Sequence, residues 1–274
     1  MSKLQGKVAY VTGSGRGIGR SVALKLASEG AKLVINDLDA APAEETVATI
    51  KSMGGDAIAV PGSVTEEGFA ERFINSGIET FGAVDVIVNN AGYTWDALVH
   101  KMSDEQFDAM LDVHLKAPFR IIRAASGFIR GAAEKEAAEG REVFRKIVNI
   151  SSIAGIGGNA GQINYSSAKS GILGMTKTMA KEWGRHKVNV NCVAFGFIRT
   201  RLTEATNEKK TIVVEGNEVG IGIPEKLVAG MEMMIPLGRA GTAEEAADGV
   251  YLFCAPESNY ISGQTLIVGG GLVI

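Results

Sequence analysis

Only two cysteines occur in 274 residues, Cys192 and Cys254. Each lies in an apolar run, VNVNCVAF and VYLFCAP. Thiols in such surroundings are expected to be buried and unpaired, so no disulfide framework is expected. No apolar run reaches the roughly 20 residues of a membrane span. The start, MSKLQGKVAYVTG, has neither the apolar core nor the cleavage site of a secretory signal. A cytoplasmic location is therefore the expectation. A large excess of charge of one sign is missing as well. The formal net charge is -3, which gives no basic footprint for nucleic acid and no attraction to an anionic membrane. No internal repeat, low-complexity linker or break in composition divides the chain, and no metal site is expected.

What is plentiful is glycine, 35 residues in all, alongside 46% hydrophobic and 22% charged residues. That apolar content supports a sizeable core, and the length is near the limit of about 250–300 residues for a single one. KVAYVTG (7–13) reads as a short strand closed by glycine, and IGRSVALKLASEG (18–30) as a helix ending on Gly30. AKLVIND (31–37) is a second strand. A helix over AAPAEETVATIKSMGG follows, then strand DAIAVPG, helix EEGFAERFINSGIETFG and strand VDVIVNNAG. Continuous apolar strands alternating with helices are the pattern of a parallel sheet covered on both faces.

Ser103 and Gln106 form a capping-box signature for a long helix running to about Arg130, with GAAEKEAAEGREVF (131–144) as its solvated extension. KIVNISS (146–152) is the fifth strand, followed by a helix over 163–186 and strand VNVNCVAFG (188–196). Segment 200–238 is polar, bears glycine and methionine, and shows no clear strand, so it reads as a lid or substrate region. TAEEAADGVYLFCAP (242–256) is a helix, and QTLIVGGG closes the sheet. The expected architecture is one doubly wound α/β domain over residues 1–274.

Four stretches carry chemistry. TGSGRGIG (12–19) joins the first strand to the first helix. Gly13, Gly17 and Gly19 permit a tight turn, and the helix N-terminus offers N–H groups and a positive dipole to a pyrophosphate. Asp37 ends the second strand about 20 residues on, where a carboxylate can accept bonds from ribose hydroxyls and repel a 2′-phosphate. Arg16 argues the other way, since a guanidinium could bind that phosphate. Asp37 is weighted more, which favours NAD over NADP. NNAG (89–92) ends the fourth strand, where ligands of such sheets bind. NISS (149–152) ends the fifth, and Tyr165 follows Ser152 by 13 residues. Ser152 can hydrogen-bond a carbonyl oxygen while Tyr165 donates or accepts a proton. A free phenol has a pKa near 10. The ammonium of Lys169, one helical turn away, is expected to lower it. A lone Y-x-x-x-K is an ordinary helix-surface pair; its conjunction with the glycine loop, Asp37, NNAG and Ser152 is what points to function.

These residues resemble the short-chain dehydrogenase/reductase family, over essentially the whole chain from KVAYVTGSGRGIG to SGQTLIVGGG. The resemblance implies a Rossmann-type, seven-stranded parallel sheet, a nicotinamide cofactor and hydride transfer between a secondary alcohol and a ketone. It implies catalytic roles for Ser152, Tyr165 and Lys169. It implies cofactor contacts from Gly13, Ser14, Gly15, Arg16, Gly17, Ile18, Gly19, Asp37, Leu38, Ser63, Val64, Asn90, Ala91 and Gly92. Tyr165, Lys169, Ile198 and Thr200 belong to the same set, and a homotetramer or dimer built on the two long helices is implied too.

The chain departs from the family pattern at several positions. His114, in DVHLKAPF, stands where the family usually has a catalytic asparagine that supports a helix kink and a proton relay. A helix-packing histidine and an active relay part both remain open. Ser63 replaces the usual aspartate near the adenine, and Phe195 the usual proline before Gly196, which implies a less rigid loop there. The segment from about 201 to 237 is longer than in small members.

Two groups are similar in detail. One is the 3-oxoacyl-carrier-protein reductases, through NNAG, GNAGQINYSSAKSGILG and IPLGRAG. The other is the 3-hydroxyacyl-CoA dehydrogenase part of peroxisomal multifunctional enzymes, through VHLKAPF and GNAGQINYSSAK. The first reading is a 3-hydroxyacyl or 3-oxoacyl thioester as substrate, in fatty acid metabolism. Cyclic or aromatic secondary alcohols are the alternative. Met231, Met233 and Met234 would serve either, as adaptable apolar contacts or as lid packing. A non-catalytic NAD-binding sensor is the reading from another class, and the intact Ser152, Tyr165 and Lys169 argue against it.

Overall fold

The computed structural model describes residues 2–208, 210–214 and 216–272. Six strands lead the chain: β1 (Val8–Val11), β2 (Lys32–Ile35), β3 (Ala57–Ala59), β4 (Val86–Asn89), β5 (Arg145–Ser152) and β6 (Val188–Phe195). A separate hairpin of β7 (Lys210–Val214) and β8 (Asn217–Ile221) precedes the last strand, β9 (Thr265–Val268). Seven of them form one sheet in the order β3-β2-β1-β4-β5-β6-β9. Every described pairing in it is parallel. The chain moves outward from β1 to β3, then crosses back to place β4 on the other side of β1. Connections leaving the carboxyl ends of β1 and β4 therefore diverge, and the divergence opens a crevice there.

Both faces are covered because the strand side chains alternate. Ala9 and Val11 of β1 join a core with α1 (Gly17–Ser28), α2 (Ala40–Ser52) and α9 (Ala243–Cys254). Val8 and Tyr10 face the opposite core, shared with α3 (Phe69–Phe81) and α5 (Ala117–Ala138). Cys192 and Cys254 are free and buried, and burial pushes each thiol up to about 12. Among the described residues no helix is long and apolar enough to cross a membrane.

Two sequence expectations change. The long helix expected from 103 is not continuous: α4 (Asp104–Leu111) and α5 are separated by a π-turn over Asp112–Lys116. Pro118 lies in the first turn of α5. Without an N–H it cannot bond the carbonyl of residue 114, four positions back. The Ala117 amide instead reaches the Asp112 carbonyl, five back. α5 then continues to Ala138, through most of the helical extension expected over 131–144 but not to its end.

The lid segment expected to lack strands contains the antiparallel β7–β8 hairpin and helix α8 (Glu225–Met234). The β-branched run Thr211–Val214 and Gly216, at φ +85°, supply a strand and its turn. Val219 sits in the same buried cluster as Tyr10, which anchors the hairpin. Met231 packs against a small cluster of Phe197, Ile235 and Ala240, whereas Met233 and Met234 point outward at 83% and 63% exposure.

The connection from α5 into β5 is fixed by an ion pair. Arg145 Nη1 and Nη2 donate to Glu136 Oε2 and Oε1 at 2.8 and 2.7 Å. The two side chains are only 6% and 13% exposed. Removing one partner of such a pair strands the other charge, so Glu136→Gln should lower stability at pH 7 by on the order of 3 kcal/mol. Arg145 holds the Glu136 carboxyl below its ordinary 4.5. A depressed acid contributes above its unfolded pKa and loses that contribution as pH falls through the folded one. Urea unfolding of both proteins should therefore show a gap at neutral pH that closes on acidification below about 4.5.

Candidate active site

The loop from β1 to α1 is held by side chains from two other segments. Asn90 Nδ2 donates to the Thr12 and Gly13 carbonyls at 2.9 and 3.0 Å. Thr12 Oγ1 in turn accepts from the Asn90 and Ala91 amides, both at 3.0 Å. Asn36, at the end of β2, accepts from the Gly13 amide at 3.2 Å and donates to the Val60 and Gly62 carbonyls at 3.1 and 2.9 Å. Ser14 is buried, with its hydroxyl donating to the Val11 carbonyl at 2.7 Å. Gly13 has φ +61°, a region that disfavours other residues. At Gly19 a Cβ would overlap the Gly13 carbonyl and the Asn90 amide, so glycine there lets α1 approach the loop.

α1 begins at Gly17 with no side-chain cap and no acidic residue in its first turn. Its first amides, from Gly17, Ile18 and Gly19, are free for an anion. Above Gly17 the nearest foreign atom to a built Cβ is on Thr200, 3.9 Å away. The cradle thus fits a pyrophosphate in charge and in space. Thr200 is placed there by a short turn, its amide donating to Thr203 Oγ1 at 2.9 Å. The Ile198 carbonyl accepts from the same hydroxyl at 2.6 Å.

At the ribose end, Asp37 Oδ2 accepts from the Gly15 amide at 3.0 Å and Oδ1 from the Asp39 amide at 3.3 Å. Arg16 does not pair with Asp37; its Nη1 bonds Asp39 Oδ2 at 3.0 Å on the exposed rim. Leu38 is exposed beside Asp37, while Val64 is buried in the core. Val64 can therefore offer a cofactor its backbone but not its side chain. Ser63 Oγ accepts from the Thr65 amide at 3.1 Å and shares a 2.8 Å bond with the Thr65 hydroxyl. Its hydroxyl shapes the turn after β3.

At the carboxyl end of β5 the chain brings together Ser152, Tyr165 and Lys169. The second and third lie on α7 (Ile163–Trp183). Lys169 Nζ donates to the Ile150 carbonyl at 2.7 Å, and the Lys169 carbonyl accepts from Ser151 Oγ at 2.7 Å. Both ends of this residue are therefore bound to the tip of β5. Gly155, in the short α6 (Ala154–Gly157), permits the contact: a Cβ there would sit 2.6 Å from the Lys169 backbone. The ammonium lies 5.6 Å from the Tyr165 ring centroid, as the one-turn spacing predicts.

The electrostatics differ from the sequence expectation. Tyr165 is pushed up to about 12, chiefly by burial, with the Ser152 hydroxyl pulling in the other direction. Burial also lowers Lys169 to about 8. Desolvation of the phenolate outweighs the Ser152 hydrogen bond, and the Asp96 carboxylate pushes the same way.

His114 sits in the π-turn, 3% exposed, its Nε2 2.7 Å from the Tyr93 carbonyl. Its ring meets Tyr165 edge-on at 5.0 Å. Gly92, on the lip of the NNAG turn, has its Cα against this imidazole, since a built Cβ would overlap Cε1.

Two residues that organise the site were not singled out from sequence. Asn36 is the clamp already described. Asn164, fully buried, donates to the Trp95 and Gln106 carbonyls at 3.0 and 2.9 Å and accepts from the Tyr165 amide at 2.8 Å. It sets the start of α7 against α4. The only local signal was an asparagine at a strand end and another in a helix's first turn.

A family model described as short chain dehydrogenase matches residues 7–211. A 3-oxoacyl-[acyl-carrier-protein] reductase of Synechocystis is 38% identical over 276 aligned positions, covering 100% of both chains. The 3-oxoacyl-[acyl-carrier-protein] reductases FabG of Thermotoga maritima and Vibrio cholerae are 35% and 36% identical. They cover 99% and 98% of this chain and 100% and 98% of their own. Likeness of this extent, on a seven-stranded parallel sheet with a glycine loop at its crevice, assigns the chain to the short chain dehydrogenase family, oxidoreductases that work with a nicotinamide cofactor.

Proposed function

We propose that this enzyme interconverts a 3-oxoacyl and a 3-hydroxyacyl thioester, with NAD preferred to NADP. The observation that carries the reading is the convergence of Ser152, Tyr165 and Lys169 at the tip of β5, opposite the glycine loop. When bound, the nicotinamide cofactor supplies or takes the hydride. Ser152 donates a hydrogen bond to the substrate oxygen and holds it beside the phenol. Tyr165, protonated at neutral pH by its raised pKa, gives its proton to that oxygen as a carbonyl is reduced. The Lys169 ammonium favours the phenolate that remains. Gly13, Gly17, Ile18 and Gly19 hold the pyrophosphate, with Ser14 and Gly15 shaping the loop. Asn90, Ala91 and Gly92 form the opposite lip, and Ile198 and Thr200 close the lid side. Asp37 accepts from the ribose hydroxyls, and its carboxylate, bound to the Gly15 amide without a cationic partner among the described residues, supports NAD.

The thioester reading draws on the relatives' names and on the apolar lid, where Leu227, Met233 and Met234 are exposed. That same surface suits cyclic or aromatic alcohols, which are the second reading. Rates on acetoacetyl-CoA, an acyl-carrier-protein thioester and a set of cyclic alcohols, each with both cofactors, separate them. The expected order is thioesters first and NAD over NADP. A clear preference for free alcohols would reject the substrate, and equal or higher kcat/KM with NADP would reject the cofactor.

Tyr165→Phe should lower kcat by at least about 100-fold, within the range of general acid catalysis, with cofactor affinity nearly unchanged by fluorescence titration. The Lys169 ammonium loses its proton at about 8. A lysine with a lowered pKa is charged only below that value, so kcat/KM for reduction should fall as pH rises through it. A flat profile from about pH 7 to 9.5 would remove Lys169 from this role.

We also propose that copies associate through the α4–α5 and α7 face, where Leu111, Leu115, Phe119 and Met175 line an open groove. Sedimentation at micromolar concentration should give a dimer or tetramer; a monomer would reject this.

A further inference from the structure

His114 is a buried titratable group at the site that the steps above leave without a task. Its geometry fixes its protonation. A carbonyl oxygen can only accept, so Nε2, 2.7 Å from the Tyr93 carbonyl, must carry a hydrogen. Nδ1 is buried with no partner among the described residues. A second hydrogen there would create an unpaired cation facing Lys169 from α7. Burial and that ammonium both hold the imidazole well below its ordinary 6.5. On its own turn the charges of Asp112 and Lys116 are exposed and paired with one another at 2.9 Å. From the loop after β4 it meets the Tyr93 carbonyl, with Asp96 acting on Tyr165 beyond.

The ring is gripped from three sides. Nε2 bonds the Tyr93 main chain, its edge meets the Tyr165 ring at 5.0 Å, and Gly92 lies against Cε1 and Nδ1 with no room for a side chain. Three segments, the π-turn, the loop after β4 and the start of α7, meet on one imidazole. Pro118 fixes where the turn places it.

We propose that His114 is a positioning residue that, as the neutral Nε2–H imidazole, fixes the loop after β4 and the Tyr165 ring relative to each other. This rests on Tyr165 being the proton donor. It gives the histidine a static role in place of a carrier in the proton relay. Misplacing a reacting group by an ångström can cost on the order of 100-fold in rate, so a side chain that never touches substrate can still govern kcat.

Two substitutions separate donor from ring. In His114→Gln the amide nitrogen can occupy the place of Nε2 and keep the bond to Tyr93. In His114→Phe the ring edge remains and the donor is lost. The expected result is that His114→Gln, which keeps the bond and gives up the ring edge, loses less than His114→Phe, about three- to tenfold in kcat, with both limbs of the pH profile retained. His114→Phe should lose roughly 10- to 100-fold in kcat with little change in KM. ¹⁵N NMR of the ligand-free wild type should show Nε2 protonated and Nδ1 bare from about pH 5 to 9.

An imidazole that titrates in that range overturns the proposal. So does His114→Gln losing one limb of the profile, or His114→Phe with wild-type kcat. Thermal melts report folding. If His114→Phe does not fold, Gly92→Ala displaces the same ring and should lower kcat in the same way; unchanged kcat there overturns the proposal equally. A wild type that reduces no thioester defeats the substrate reading and leaves the NMR result to decide this one.

Discussion

The site depends on burying an ammonium without a carboxylate partner among the described residues. Lys169 is 4% exposed, and its Nζ is bound to the Ile150 carbonyl. Removing a lone charge from water costs several kcal/mol unless dipoles replace the water. Here the tip of β5 supplies them, and the Ser151 hydroxyl secures the backbone of the same residue. This arrangement dictates the local sequence. Gly155 must lack a side chain so that α6 can lie on Lys169, and α7 must run directly over the end of β5. Tyr165 and Ser152 then take their places with little further choice.

The pyrophosphate cradle is built on another principle, the saturation of backbone groups by asparagines. Asn36 and Asn90 together bond the main chain of the glycine loop and of the turn after β3. Charged side chains would do this poorly, because their own charge would compete with an incoming anion. A neutral amide donates and accepts in fixed directions. The cradle is therefore rigid before any ligand arrives, while the uncapped amides of α1 stay available. Asn164 repeats the device at α7, where it joins the Trp95 and Gln106 carbonyls to the Tyr165 amide.

The lid is the contrasting part. α8 contains no fully buried residue, and its outward methionines and Leu227 make no core. Its fixed points are few: Val219 in the main core, and the small cluster around Phe197 and Ile235. A segment with few buried contacts has low local stability and adapts to what it covers. The catalytic end is over-determined by contrast, with Lys169 tied to the tip of β5 at both its ammonium and its carbonyl, and Asn164 joining three segments.

Strand and helix periodicity, the glycine loop, Asp37 and the Ser152–Tyr165–Lys169 spacing were legible in the sequence. Each rests on a local rule: alternation along a strand, one turn along a helix, a turn that needs glycine. The parallel sheet and its crevice follow from these with the handedness of crossovers.

Other features needed the fold. The hairpin in the lid was hidden because two five-residue strands in a polar segment carry little signal until Val219 finds a core. The π-turn was hinted at by Pro118, yet its effect on His114 depends on which carbonyl the proline leaves unbonded and on what lies opposite. Tyr165 has a raised pKa because burial is a tertiary property, whereas spacing reports only the nearby charge. Local pattern determined which residues could act; packing decided their protonation, because desolvation is set by everything that surrounds a group and not by its neighbours along the chain.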